Sequence, residues 1–83
     1  MTKQERLIVK GLIAEKKQRI AELDARMVGC GIAIRNALPT YLDAEAYNTQ
    51  IVLDSAQCLH KDRQEYDALK TELQKLQAEW GDL

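Results

Sequence analysis

Apolar residues recur along this chain at helical spacing, in two long runs separated by one break. In the first run Ile13, Ile20, Met27 and Ile34 recur every seven residues, and Val9, Leu23, Cys30 and Ala37 occupy the companion positions. Lys16 interrupts that row. In the second run Val52, Leu59, Tyr66, Leu73 and Trp80 recur every seven, with Leu69 and Leu76 as companions and Ser55 and Asp62 as polar exceptions. Sustained heptads of this kind place the apolar side chains of each run on one stripe of an α-helix.

The break is Leu38-Pro39-Thr40. Proline cannot donate a backbone hydrogen bond, and it pushes the residue before it out of helical geometry. Thr40 and Asp43 have the spacing of an N-terminal capping box, with aspartate in place of glutamate. Thr2 and Glu5 have the same spacing at the start of the first run, and Gly81 after Trp80 is a C-terminal stop. The sequence therefore predicts one all-α domain over residues 1–83: a helix over about 3–37, a turn over about 38–41 and a helix over about 42–80. With so short a turn the helices lie antiparallel, as a long coiled-coil-like hairpin.

A turn centred near Tyr41 makes facing residue numbers sum to about 82. Ile13 then lies beside Leu69, Val9 beside Leu73, Leu23 beside Leu59 and Cys30 beside Val52. Lys16 falls near Asp62 and Tyr66, so that two polar interruptions share a layer and fix the register. In this register Cys30 and Cys58 are about six residues, or roughly 9 Å, out of step, too far for a bridge.

A hairpin buries one stripe per helix, and the first helix has more than one. Leu7, Leu12, Ala14, Ala21, Val28, Ile32 and Ala33 lie off the heptad seam. Ala21, Ala25, Gly29, Ala33 and Ala37 step by four, and small residues at that spacing let another backbone approach closely. Gly29 and Gly31 each cost about 1 kcal/mol in a helix relative to alanine, so they point to tight packing, a kink or a nearby ligand. The expected assembly is a homo-oligomeric helix bundle, simplest as a dimer of hairpins with four helices. Its interface is drawn from Ala21, Ala25, Val28, Gly29, Ile32, Ala33 and Ala37.

Composition narrows the function classes. The 83 residues carry 12 Lys and Arg against 13 Asp and Glu, so no global charge attracts nucleic acid or an anionic membrane. The apolar run from Met27 to Ile34 is far shorter than the roughly 18 residues of a membrane span, and charges at Glu5, Arg6, Lys10 and Glu15 break any signal-peptide core. Two cysteines do not make a disulfide framework, which fits a reducing, cytoplasmic setting. Charge is nevertheless uneven. Lys3, Arg6, Lys10, Lys16, Lys17 and Arg19 outweigh Glu5 and Glu15 in the first 19 residues, giving a net +4 there.

Candidate chemistry is sparse. The single histidine, His60, is two residues from Cys58, on a different face. Cys58 and Asp62 have metal-ligand spacing but are only two ligands, so no metal, cofactor or catalytic set is expected. Near the turn, Arg35, Asn36, Tyr41, Tyr47 and Asn48 offer a cation, amides and rings that could clamp an anionic planar ligand. The hairpin pattern is shared by many small bundles and carries over no family's residues. Three readings follow. The first is a non-enzymatic oligomeric hairpin that binds a macromolecular partner, as small phage-type inhibitors of host machinery do. The second is a module that sequesters a nucleotide-like anion at an inter-chain pocket built from those turn residues. The third is a nucleic-acid-binding bundle using Lys3, Arg6, Lys10 and Lys17.

Overall fold

The computed structural model describes residues 2–39 and 43–81. Two long helices pair side by side in a rod of 64 × 16 × 14 Å. The first, α1, spans Lys3–Ala37, and the second, α2, spans Thr49–Trp80. Among the described residues no helix is long and apolar enough to cross a membrane.

The caps explain where each helix begins and ends. At the start of α1 the Glu5 amide donates to Thr2 Oγ1 at 3.1 Å, and the Glu5 carboxylate accepts from the Thr2 amide. This is the reciprocal capping box that the sequence predicted. α1 then runs unbroken through Gly29 and Gly31 to Ala37, so neither glycine interrupts it. Leu38, before Pro39, is extended, as proline requires of its predecessor. At the far end Gly81 takes a φ of 76°, the left-handed conformation in which glycine avoids a Cβ clash.

The connection is longer than the sequence implied. α2 begins at Thr49, not near residue 42, because Asn48 is its cap: Asn48 Oδ1 accepts from the Ile51 amide at 3.2 Å. Asp43 caps a single 3-10 turn over Ala44–Ala46, its carboxylate accepting from the Glu45 amide. Thr40, the expected partner of Asp43 in a helix cap, lies outside the described residues, as do Tyr41 and Leu42. The Asn48 amide donates to the Ala37 carbonyl at 3.3 Å, which satisfies one of the carbonyls left free at the end of α1.

The longer connection moves the register by about one helical turn. Lys16 meets Glu72, Arg19 meets Glu65 and Arg26 meets Asp62, so facing residue numbers sum to 84 or 88 rather than about 82. Lys16 is accordingly not in a layer with Asp62. Each polar interruption pairs separately, Lys16 at 2.7 Å from Glu72 and Asp62 at 3.1 Å from Arg26.

The core is one seam. Val9, Ile13, Ile20 and Leu73 are buried together, with Tyr66, Leu69, Leu76 and Trp80 packed against them. Leu23 is the only large side chain among the described residues that is fully enclosed. This cluster lies toward the open end of the hairpin. Nearer the turn, Met27, Cys30, Ile34, Val52 and Leu59 are only half-buried. Apolar transfer scales with the area removed from water, so the open end holds the helices together more firmly than the turn end.

Candidate functional site

An apolar surface that the hairpin does not use is the back of α1. Leu7, Gly11, Ala14, Gln18, Ala21, Ala25, Val28 and Ile32 alternate in steps of four and three, and every one is exposed. That alternation is a second heptad seam. At 3.6 residues per turn it lies nearly opposite the buried row of Val9, Ile13, Ile20 and Leu23. Leu7 is 64% exposed and Val28 57%. Seven of its eight positions are apolar or glycine, and the middle of the row is built from alanine.

This geometry revises the sequence-based interface. A strict step of four drifts around the helix, so Ala21, Ala25, Gly29, Ala33 and Ala37 do not share a face. Ala37 is buried inside the hairpin and Ala33 is half-buried, whereas Ala21, Ala25, Val28, Gly29 and Ile32 are exposed. The glycines also become clearer. A methyl group added at Gly11, Gly29 or Gly31 would meet nothing within 4 Å. Close packing within the chain therefore does not require them.

Charge flanks the back seam in an ordered way. One edge carries Lys3, Lys10 and Lys17, then Asp24; the other carries Glu15 and Glu22. Lys3, Arg6 and Lys10 border a small recess beside Leu7. Three of the four predicted phosphate-binding residues, Lys3, Lys10 and Lys17, thus form the rim of an apolar seam. Glu22 is held at 3.3 Å by Arg19, which also grips Glu65 at 2.6 Å. The Arg19 bond holds the Glu65 carboxyl below its ordinary range.

Beside Val28 an open groove of about 510 Å³ runs between the helices. Met27, Val28, Ala56 and Leu59 give it an apolar floor, and Asp24, His60 and Arg63 stand around it. His60 lies 3.3 Å from the Gln64 side-chain nitrogen, and so is engaged within its own helix face.

The residues proposed as a ligand clamp are only partly brought together. Asn36 and Asn48 line one recess with Ala37 and Ile51, but Arg35 and Tyr47 do not line it. Asn48 already spends its side-chain oxygen on the α2 cap. Tyr41 lies outside the described residues.

A cluster that the sequence reading separated does form. Cys30 on α1 and Cys58 and Asp62 on α2 bring their sulfur and oxygen atoms within 4.8 Å of one another. The one-turn shift in register is the cause, because it removes the offset between the two thiols. Cys58 Sγ donates to Asp62 Oδ2 at 3.8 Å, and Arg26 reaches both residues. Burial pushes the Cys30 thiol up, and the adjacent Cys58 adds to the shift. Arg26 is itself raised, first by its bond to Cys58 and then by the charge of Asp62. Both cysteines are free and half-buried. The i, i+4 spacing of Cys58 and Asp62 was visible in the sequence; the third member needed the register.

Compared with family models, curated proteins and solved structures, the chain matches none of them.

Proposed function

We propose that the chain is an interaction protein, not an enzyme: a helical hairpin that pairs with a second copy along the back of α1 and presents a groove to a protein partner. The observation that carries this reading is the exposed heptad seam of α1, from Leu7 to Ile32. An apolar seam of that length in water is stabilised by a facing helix. Its small central residues suit close backbone approach, and Gly11 and Gly29, which nothing in the hairpin crowds, are accommodated by such an approach.

The flanking charges select the direction of pairing. In a parallel pair each residue on the leading edge meets the residue five positions further along the other chain. Lys10 then meets Glu15 of the second copy and Lys17 meets its Glu22, each twice by symmetry. Gln18 meets its own counterpart and pins the register, as a single polar residue in an apolar seam does. An antiparallel pair would instead bring Glu15 and Glu22 of the two copies together, which is repulsive. Because the two seams of α1 are nearly opposite, the pair forms a row of four helices, with the two α1 helices inside and the α2 helices outside. The groove floored by Met27, Ala56 and Leu59, which shares Val28 with the seam, borders the pair and can receive an apolar side chain of a partner.

Analytical ultracentrifugation tests the assembly: the expected mass is twice the 9.4 kDa of one chain, and a monomer at micromolar concentration overturns it. Direction is tested by Gln4→Cys in a background with Cys30→Ala and Cys58→Ala. A parallel pair brings the two introduced thiols together and oxidises to a cross-linked dimer. An antiparallel pair keeps them roughly 40 Å apart and gives none.

A further inference from the structure

We infer that Cys30, Cys58 and Asp62 form a zinc site clamped between the two helices. Three features carry the inference. First, the donors come from both helices and converge: all three ligand atoms lie within 4.8 Å of one another, and Cys58 Sγ is 3.8 Å from Asp62 Oδ2. Around a tetrahedral zinc, with Zn–S near 2.3 Å and Zn–O near 2.1 Å, neighbouring ligand atoms are roughly 3.5–3.8 Å apart. Small side-chain rotations close that difference without moving a helix.

Second, the donor set has the right chemistry. Two thiolates are soft and one carboxylate is hard, and zinc, being borderline, accepts both in a tetrahedral array. Calcium and magnesium would need several more oxygen donors. Both thiols lose their protons to solvent as the two sulfur–zinc bonds form. The bound set then carries three negative charges against the two of the metal. Arg26, 3.1 Å from Asp62 and in reach of Cys58, supplies the remaining positive charge and orients the carboxylate from outside.

Third, there is a way in and a place for a fourth ligand. Asp62 is almost fully enclosed, at 4% exposure, but both cysteines face a shallow groove that Gly29, Asp54 and Ser55 help to line. Water from that groove completes the tetrahedron. The site sits where the hairpin core is thin, between the enclosed Leu23 and the turn. A metal bridging α1 to α2 there strengthens the weaker half, since binding energy for a site absent from the unfolded chain adds to stability.

The test is titration of the reduced full-length chain with Co²⁺ as a spectroscopic stand-in, followed by Zn²⁺ competition. The expected result is one ion per chain, the visible bands of tetrahedral cobalt and a near-ultraviolet sulfur-to-cobalt charge-transfer band. Cys30→Ser and Cys58→Ser should each remove about half of that band. Each should also weaken zinc by at least roughly tenfold, as even an outer-shell loss does. Asp62→Asn should weaken zinc while keeping the sulfur band, and His60→Gln should change nothing. Absence of the charge-transfer band, its full survival in both serine variants, or its loss in His60→Gln overturns the site. A second measurement needs no variant. Zinc should slow alkylation of both thiols in the unmodified protein, and unchanged alkylation rates also overturn it.

Discussion

α1 and α2 are of similar length, 35 and 32 residues, and each turns one side to the other. Their outer sides differ. Spaced by the same alternation of four and three, the back of α2 reads Gln57, Lys61, Gln64, Ala68, Thr71, Lys75 and Ala78, all exposed. Amides, a hydroxyl and ammonium groups there can bond to water or within their own helix, as the Thr71 hydroxyl does to the Asp67 carbonyl. The back of α1, from Leu7 through the alanines to Val28 and Ile32, offers water almost nothing to bond. Apart from the exposed Ile51 and Leu53 in its first turns, α2 is finished by the hairpin, whereas α1 is half-used along its length. The hairpin seam explains why the chain folds on itself, and the α1 back seam is where it has surface left to give to another chain.

Four tests, using five substitutions, break or sharpen this contrast. The largest effect is expected inside the hairpin. Leu23→Ala should lose roughly 2–5 kcal/mol of stability, because Leu23 is fully enclosed and a cavity remains. Thermal unfolding followed by circular dichroism reads this directly, and an unchanged midpoint would mean that the seam is not the source of stability. Next is one change made on both backs. Ala21→Glu should weaken self-association by at least about tenfold by placing like charges in the seam, whereas Ala68→Glu should leave the sedimenting mass alone. Equal effects from the two variants would erase the distinction between the helices.

A gain of stability comes third. Gly31→Ala should raise the free energy of urea unfolding by up to about 1 kcal/mol, since the added methyl meets open space and the residue is within the helix. A loss would show that something crowds this edge of α1.

The smallest effect concerns the ion pair that fastens the two helices at mid-length. Arg19 holds the Glu65 pKa down in the folded chain. Glu65 therefore contributes stability above its unfolded value of about 4.3, and that contribution is lost as pH falls through the lower folded value. Glu65→Gln should be slightly less stable near neutrality and should show a shallower loss between neutrality and strong acid. Glu65 is exposed and Arg19 is only half-buried, so solvent screening keeps the difference small. Parallel acid curves for the two proteins would remove the pair from the account.

Much of the hairpin was legible because its signals are local. The capping box of Thr2 and Glu5, the stop at Leu38-Pro39 and the glycine after Trp80 depend on residues within a few positions of one another. The buried row, too, is a matter of counting by seven. The start of α2 was misplaced because Thr40-x-x-Asp43 and Asn48 compete as caps, and composition alone does not rank them. That single displacement propagated: a connection ending at Asn48 moved the facing pairs by one turn. It gave Lys16 a different partner and brought Cys30 to Cys58 and Asp62. The ligand clamp suffered similarly, since Asn48 was spent on capping and Arg35 and Tyr47 do not line the recess that Asn36 and Asn48 share.

The amino-acid order by itself determined that there would be two helices, which stripe of each would be buried, and that α1 would keep apolar residues over. These are consequences of 3.6-residue periodicity and of steric rules at proline and caps, which act within one segment. Only the tertiary structure decided the register. A heptad seam slid by one turn still presents apolar residues to apolar residues, so the pattern tolerates both alignments. The length of the connection and the pairing of Lys16, Arg19 and Arg26 with Glu72, Glu65 and Asp62 choose between them, and that choice places two thiols and a carboxylate together.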